Sequence, residues 1–137
     1  MIKVYIASPY TTGDKQENVN LQIDAAAILL EHGYAPHVPL YNHYHQLRHP
    51  HTHQEWIKLD LVWLDMCDIL IRIRPVVDGV EIPSSGADAE EAKARELNIP
   101  VFTFANLIEL EEFLSTNVLV LNPVLEEGED EIDPEDV

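Results

Sequence analysis

The sequence predicts an α/β fold of the doubly wound, flavodoxin- or Rossmann-like kind: a five-stranded parallel sheet with helices on both faces. Three observations lead there. Short β-rich runs alternate with helical patterns along the chain. The run Asp68–Ile73 is continuously apolar apart from Asp68 and Arg72, as a strand buried on both faces would be. Proline or glycine closes several of the runs, and no internal repeat is present.

The elements follow in order. Residues 2–7 form a first strand, stopped by Ser8-Pro9 because proline cannot continue a central strand. After the turn Thr11-Thr12-Gly13, Asp14 and Glu17 are spaced as a capping box. The helix they open carries Val19, Ile23, Ala26, Ala27 and Leu30 at helical spacing and stops at Gly33. Tyr34–Val38 reads as a second strand, closed by Pro39, and a His- and Pro-rich loop fills about 40–53. Gln54–Met66 reads as a helix, Asp68–Ile73 as a strand and Pro75–Ser85 as a loop with a turn at Asp78-Gly79. Gly86–Leu97 is a further helix, Pro100–Phe104 a strand, Asn106–Leu114 a short helix and Val118–Leu121 a fifth strand. In such a fold ligands sit beyond the carboxyl ends of the strands, which singles out the loops Ala7–Asp14, Leu40–His53, Arg74–Gly86 and Phe104–Asn106.

With 137 residues the chain suits one domain, taken as residues 1–122 followed by an acidic tail, 123–137, expected to be disordered. Eight bases face 25 acids for a net charge of −17, and eight acids fall within Glu126–Asp136. Outside that stretch 17 acids still face 8 bases, for −9, which argues against nucleic acid polymers or an anionic membrane as partners. The single cysteine, Cys67, excludes an internal disulfide and any Cys-pair zinc signature, and its apolar neighbours make it an inert thiol. No signal peptide or membrane-length apolar stretch is evident, so a cytoplasmic location is expected.

Two acids stand out. On a wheel of the helix over 54–66, Asp60 lies in the apolar arc of Ile57, Leu61, Leu64, Trp56 and Trp63, opposite Lys58 and Asp65. A carboxylate there meets a desolvation penalty, which either a structural hydrogen bond or a function must offset. Glu90 falls on the small-apolar stripe Ala87, Ala94 and Leu97, in the N-terminal half of the helix, the end at which the dipole favours an anion. Two acids flanking one strand can supply a nucleophile and a general acid for glycosidic chemistry. Beside them Pro83-Ser84-Ser85-Gly86 joins strand to helix, where backbone amides can meet an anion. Either serine can instead serve as the helix cap.

Lys3–Pro9, Asp60–Leu64 with Cys67-Asp68, and Ser84–Glu90 with Ala94 together resemble the nucleoside 2-deoxyribosyltransferase superfamily over most of residues 2–121. That group includes the deoxyribosyltransferases and the 2'-deoxynucleoside 5'-monophosphate N-glycosidases. The resemblance implies Glu90 as nucleophile at the anomeric carbon, Asp60 as the acid that moves a proton to the leaving base, and Tyr5 as the group orienting nucleophile or sugar. It implies substrate contacts from Ser8, Pro9, Ser84, Ser85 and Gly86. Ser84 stands where the transferases tend to carry an aspartate and the glycosidases a phosphate-binding serine, so the chain is similar to the glycosidases there. Asn117 matches roughly the position from which family members reach into a neighbouring subunit's site, implying a homodimer or larger homo-oligomer. No cofactor is implied. The expected reaction is cleavage of the N-glycosidic bond of a (deoxy)nucleoside or its 5'-monophosphate, with water or a second base as acceptor.

Two other classes fit the sequence. A non-catalytic nucleotide-binding or sensor module on the same fold is one. A metal-binding protein is the other, since His43, His45, His49, His51 and His53 fall within eleven residues, although the resemblance implies no metal. As alternatives to metal binding, these histidines line the pocket mouth, Val76–Ile82 forms a lid, and Trp56 and Trp63 pack in the core or stack on a base.

Overall fold

The computed structural model describes residues 1–120. It is mixed α/β, with a parallel sheet built from β1 (Lys3–Ala7), β2 (Ala35–His37), β3 (Ile69–Ile73) and β6 (Val101–Phe104) in the order β2-β1-β3-β6. Between β3 and β6 a small antiparallel pair, β4 (Val76–Val77) and β5 (Val80–Glu81), projects as a separate ribbon. Tyr5 aligns with His37 on one side and Leu70 on the other, and Arg72 lies between Ala7 and Thr103.

Alternation along these strands sorts the core into two layers. Val4, Ile6, Ile69, Ile71 and Ile73 face α1 (Lys15–Glu31) and α5 (Leu107–Thr116), where Ala25, Leu29, Leu110 and Leu114 complete the larger cluster. Tyr5, Ala7 and Leu70 face the opposite way, towards α3 (His53–Asp65) and α4 (Ser85–Glu96), with Leu64, Ala87 and Ala94. The second layer is thinner in apolar residues because Asp60, Arg72 and Glu90 are buried in it.

The helix starts are set by their caps. Asp14 accepts from the backbone N–H of Glu17, Thr52 from Glu55, Ser84 from Ala87 and Asn106 from Glu109. Ser84 is therefore the cap of α4, and Ser85 its first residue. Gly33, at φ +89°, ends α1 in the left-handed conformation that glycine adopts without strain.

Three expectations need correction. Residues 40–53 are not a loop throughout: a 3-10 turn at Pro39–Tyr41 leads into α2 (Asn42–Arg48). Those seven residues contain neither proline nor glycine, and the helix ends at His49, ahead of Pro50. Asp78 and Gly79, both at positive φ, make the tight turn of the β4–β5 ribbon within the expected loop. No fifth strand forms over Val118–Val120: the Leu119 N–H donates to the Tyr34 hydroxyl at 2.9 Å instead of to a ladder, while Leu119 packs in the core. Leu121 and the acidic tail lie outside the described residues. No helix among the described residues is long and apolar enough to cross a membrane.

Candidate active site

The strand order reverses between β1 and β3, and a cavity of about 230 Å3 opens beyond their carboxyl ends, where doubly wound sheets place ligands. Its volume lies below the ~300 Å3 at which pockets for drug-sized molecules start. Ser8, following β1, forms one wall, and Ser84, Ser85 and Gly86, at the start of α4, form another. Asp60 and Glu90 reach it from α3 and α4, and α2 contributes Asn42, His43 and Gln46.

Glu90 is only 6% exposed, and its Oε2 accepts a hydrogen bond from the Tyr5 hydroxyl, which is wholly buried beneath the cavity. Tyr5 points there because strand alternation sends it to the same layer as Ala7 and Leu70. Burial pushes the Glu90 carboxyl up to about 8; the Tyr5 bond opposes this, Asp60 adds to it, and the Arg72 charge opposes it again. Asp60 is pushed up to about 7 by burial, against the hydrogen bond that its Oδ1 accepts from Asn42 Nδ2 at 2.8 Å. Burial, then the charges of Glu90 and Asp60, hold the Tyr5 hydroxyl far above its usual range and hence protonated. The cavity floor thus carries two carboxyls poised to exchange protons near neutral pH.

The other expected contacts divide. Ser8 lines the cavity, its Oγ accepting from buried Gln22 Nε2 at 2.9 Å, while the Gln22 carbonyl accepts from the Leu40 N–H at 3.2 Å. Gln22 therefore ties the end of β1 to the opposite cavity wall. Pro9 is buried and is not among the lining residues. Ser84, Ser85 and Gly86 present the first turn of a 12-residue helix to the cavity. A Cβ on Gly86 would meet Ile57 Cδ1 at an ordinary 3.5 Å, so packing within the protein does not demand glycine there. Asn117 is not brought to this site. It ends α5, with Nδ2 donating to the Phe113 carbonyl, and lines a groove with Asp68, Ile69 and Pro100, at the amino ends of β3 and β6.

The histidines divide between the cavity and a ring cluster, in which His45 packs edge-on against His51 at 5.3 Å and His49 at 6.2 Å. His43, His51 and His53 line the cavity, and Tyr10 Oη lies 2.6 Å from His43 Nδ1. His45 and His51 pack edge-on against Trp56 at 4.8 and 5.1 Å. Among the described residues no group of three or more His, Cys, Asp or Glu side chains is arranged to hold a metal ion. Val76–Glu81 contributes nothing to the lining.

Two residues of the site are not among those expected. Lys15, the first residue of α1, is the only lysine or arginine among the described residues that lines the cavity. Its position just after the Asp14 cap was the available signal. Arg72, 1% exposed, lies under α4, with Nη2 2.9 Å from Asp88 Oδ1 and Nη1 3.6 Å from Glu91 Oε1. Its Nε and Nη1 have no hydrogen-bond partner among the described residues. A charge inside an otherwise apolar strand was the signal for it. Because Arg72 favours the ionised form of Glu90, Arg72→Met is expected to raise the Glu90 pKa further. A carboxyl 13C titration reads this directly, and an unchanged midpoint would refute the coupling.

Over residues 2–104 the chain matches the family DUF7768, described as a domain of unknown function. No protein of curated function matches it in sequence. Among solved structures it is similar to a 2-deoxyribosyltransferase from Leishmania mexicana, with 20% identity and a TM-score of 0.57, over 77% of this chain and 65% of that one. It is also similar to a 2-deoxyribosyltransferase from Bacillus psychrosaccharolyticus, with 24% identity and a TM-score of 0.54, over 75% and 72%. At these identities the likeness is one of fold. The chain spans about two thirds of the Leishmania protein's length.

Proposed function

This chain belongs to the DUF7768 family, and from that premise we propose that it cleaves the N-glycosidic bond of a (deoxy)nucleoside 5'-monophosphate or nucleoside. The observation that carries the reading is the grouping of Glu90, its Tyr5 partner and Asp60 in one cavity beside the start of α4. The fold shared with 2-deoxyribosyltransferases supports it.

With Oε2 held by Tyr5, the Oε1 of ionised Glu90 is the oxygen that attacks C1'. As the new ester bond forms, the C1'–N bond breaks and its electron pair passes to the base nitrogen, which takes a proton from Asp60. Asn42 occupies Asp60 Oδ1, leaving Oδ2 to carry that proton. In the second step water attacks C1', gives its proton to the Asp60 carboxylate and releases Glu90; a second base in place of water gives transfer. Free backbone amides at Ser85 and Gly86, with the Ser84 hydroxyl and Lys15, suit a 5'-phosphate. That arrangement favours a monophosphate over a nucleoside.

Incubation with a panel of nucleosides and 5'-monophosphates, with and without an acceptor base, tests the reading by chromatography of free base. Release from monophosphates, lost in Glu90→Gln, is expected. Product formed only with an acceptor present would make the protein a transferase. Binding without release would instead make the site a nucleotide sensor.

The chemistry needs one proton on the pair, with Glu90 ionised and Asp60 protonated; because Glu90 holds its proton more tightly than Asp60, this is the less populated of the two one-proton forms. With the carboxyls raised to about 8 and about 7, they titrate as a coupled pair. The rate should rise as the first proton leaves and fall as the second leaves, giving a bell centred between pH 7 and 8. A kcat/KM profile peaking below pH 5.5, in the range of ordinary carboxyls, would contradict this.

A further inference from the structure

Gln46, one turn beyond Asn42 on α2, lines the cavity with an amide whose carbonyl is already taken. Its Oε1 accepts from the indole Nε1–H of Trp56 and, at 2.8 Å, from the backbone N–H of His51. Both partners can only donate, so they fix which end of the amide is oxygen. They also occupy both lone pairs of that oxygen. Gln46 Nε2 has no hydrogen-bond partner among the described residues, so what Gln46 has left to offer a ligand is N–H donors. We propose that Gln46 reads the base of the substrate and selects bases with an exocyclic carbonyl, the 6-oxopurines and 4-oxopyrimidines, over those with an exocyclic amino group.

This inference rests on the proposed cleavage, from which the place of the base follows. A phosphate at the start of α4 and a sugar carbon at Glu90 leave the base between α2 and α3, where Asp60 gives it a proton. Two rungs join those helices there. Asn42 bonds Asp60 at 2.8 Å, and Gln46, four residues on, bonds Trp56, four residues back from Asp60. Four residues rise about 6 Å along a helix, so the Gln46 rung lies one turn from the proton donor, within reach of a substituent across the ring. An exocyclic carbonyl arriving there is bonded by the Gln46 N–H. An exocyclic amino group meets the same donors, finds no lone pair left on Oε1, and is unpaired at a half-buried position. A glutamine with both amide ends free can bond an adenine edge twice; Trp56 and His51 remove that option.

The amide is anchored firmly enough to discriminate. His51 immediately precedes Thr52, the cap of α3, and the Trp56 ring is packed edge-on by His45 at 4.8 Å and His51 at 5.1 Å. Turning the amide over to accept from an amino group would set its N–H donors against those of Trp56 and His51.

Matched 5'-monophosphates test this: inosine against adenosine and uridine against cytidine, in the ribose and 2'-deoxyribose series. Calorimetric Kd values on the full chain carrying Glu90→Gln give the keto-to-amino preference without turnover, and base release by wild type is measured beside them. The keto member of each pair is expected to bind about tenfold or more tightly, as where a mismatched partner leaves a polar group unpaired. Adding Gln46→Glu keeps an oxygen for Trp56 and His51 and puts an acceptor where the amine stood, so the preference should invert. Its extra charge acts on both members of a pair and cancels in the ratio. Trp56→Phe frees one lone pair of Gln46 Oε1, and the ratio should fall towards one. Equal binding within a pair, or tighter binding of the amino member through Asn42 Oδ1, overturns the proposal. A ratio unmoved by Trp56→Phe and by Gln46→Glu overturns it as well, and either variant suffices should the other misfold. Base release without a keto preference defeats this inference alone, a keto preference without release defeats the cleavage alone, and no binding by any member defeats both.

Discussion

Glu90→Gln is expected to lower base release by roughly 10³-fold or more, the scale on which removing a nucleophile is felt, while making the protein more stable at alkaline pH. Glutamine keeps an oxygen to accept the buried Tyr5 hydroxyl, whereas alanine would leave it unpaired. The stability gain follows from the direction of the shift. The Glu90 carboxyl is raised from 4.5 to about 8, so folding favours its neutral form. That contribution is complete below pH 4.5 and is lost as pH rises through about 8. Glutamine does not titrate, so variant and wild type should melt together near pH 4.5 and separate progressively above it. By pH 9 the separation should be on the order of 10 °C for a domain of this size. Calorimetry at the two pH values and single-turnover base release test the two halves separately. Activity within tenfold of wild type would remove Glu90 from the chemistry. Equal melting at pH 9 would remove the desolvation argument.

Asp60→Asn should cost about 10²–10⁴-fold with substrates whose base must be protonated to depart. The loss should shrink to a few-fold with a leaving group such as p-nitrophenolate, which needs no proton. A residue that only held the substrate would slow both equally, so this comparison separates the proton donor from a binding group. The substitution also removes the proton whose loss ends the bell, so the descending limb should vanish while the ascending limb, set by Glu90 beside a neutral residue 60, remains. A descending limb that persists would mean that Asp60 is not the acid.

Much of this site was legible in the sequence because helical and strand periodicities are local. The wheel places Asp60 among apolar neighbours, and Asp60 is 8% exposed. The small-residue stripe of Ala87, Ala94 and Leu97 includes Glu90, and Glu90 is buried against Tyr5. Caps at Asp14 and Ser84 were readable for the same reason, since a cap is a contact over three residues. The length of α2 was not, because histidine and proline density hides a seven-residue segment with no breaker inside it. Val118–Leu121 has the composition of a strand, yet the Tyr34 hydroxyl takes the Leu119 amide, and that partner is 85 residues away.

The sequence alone determined the α/β class, the order of the main elements and the two acids that sit on apolar stripes, because each is written in residue spacings of two to four. The tertiary structure decided what those acids meet. Tyr5 and Glu90 are 85 residues apart, and only the parallel register of β1 against β3, with α4 packed above them, brings hydroxyl to carboxylate. It also decided that Lys15 reaches the cavity and Asn117 the opposite end of the sheet. Burial completes the division: a carboxyl's pKa depends on the water excluded around it, and chain segments distant in sequence do the excluding.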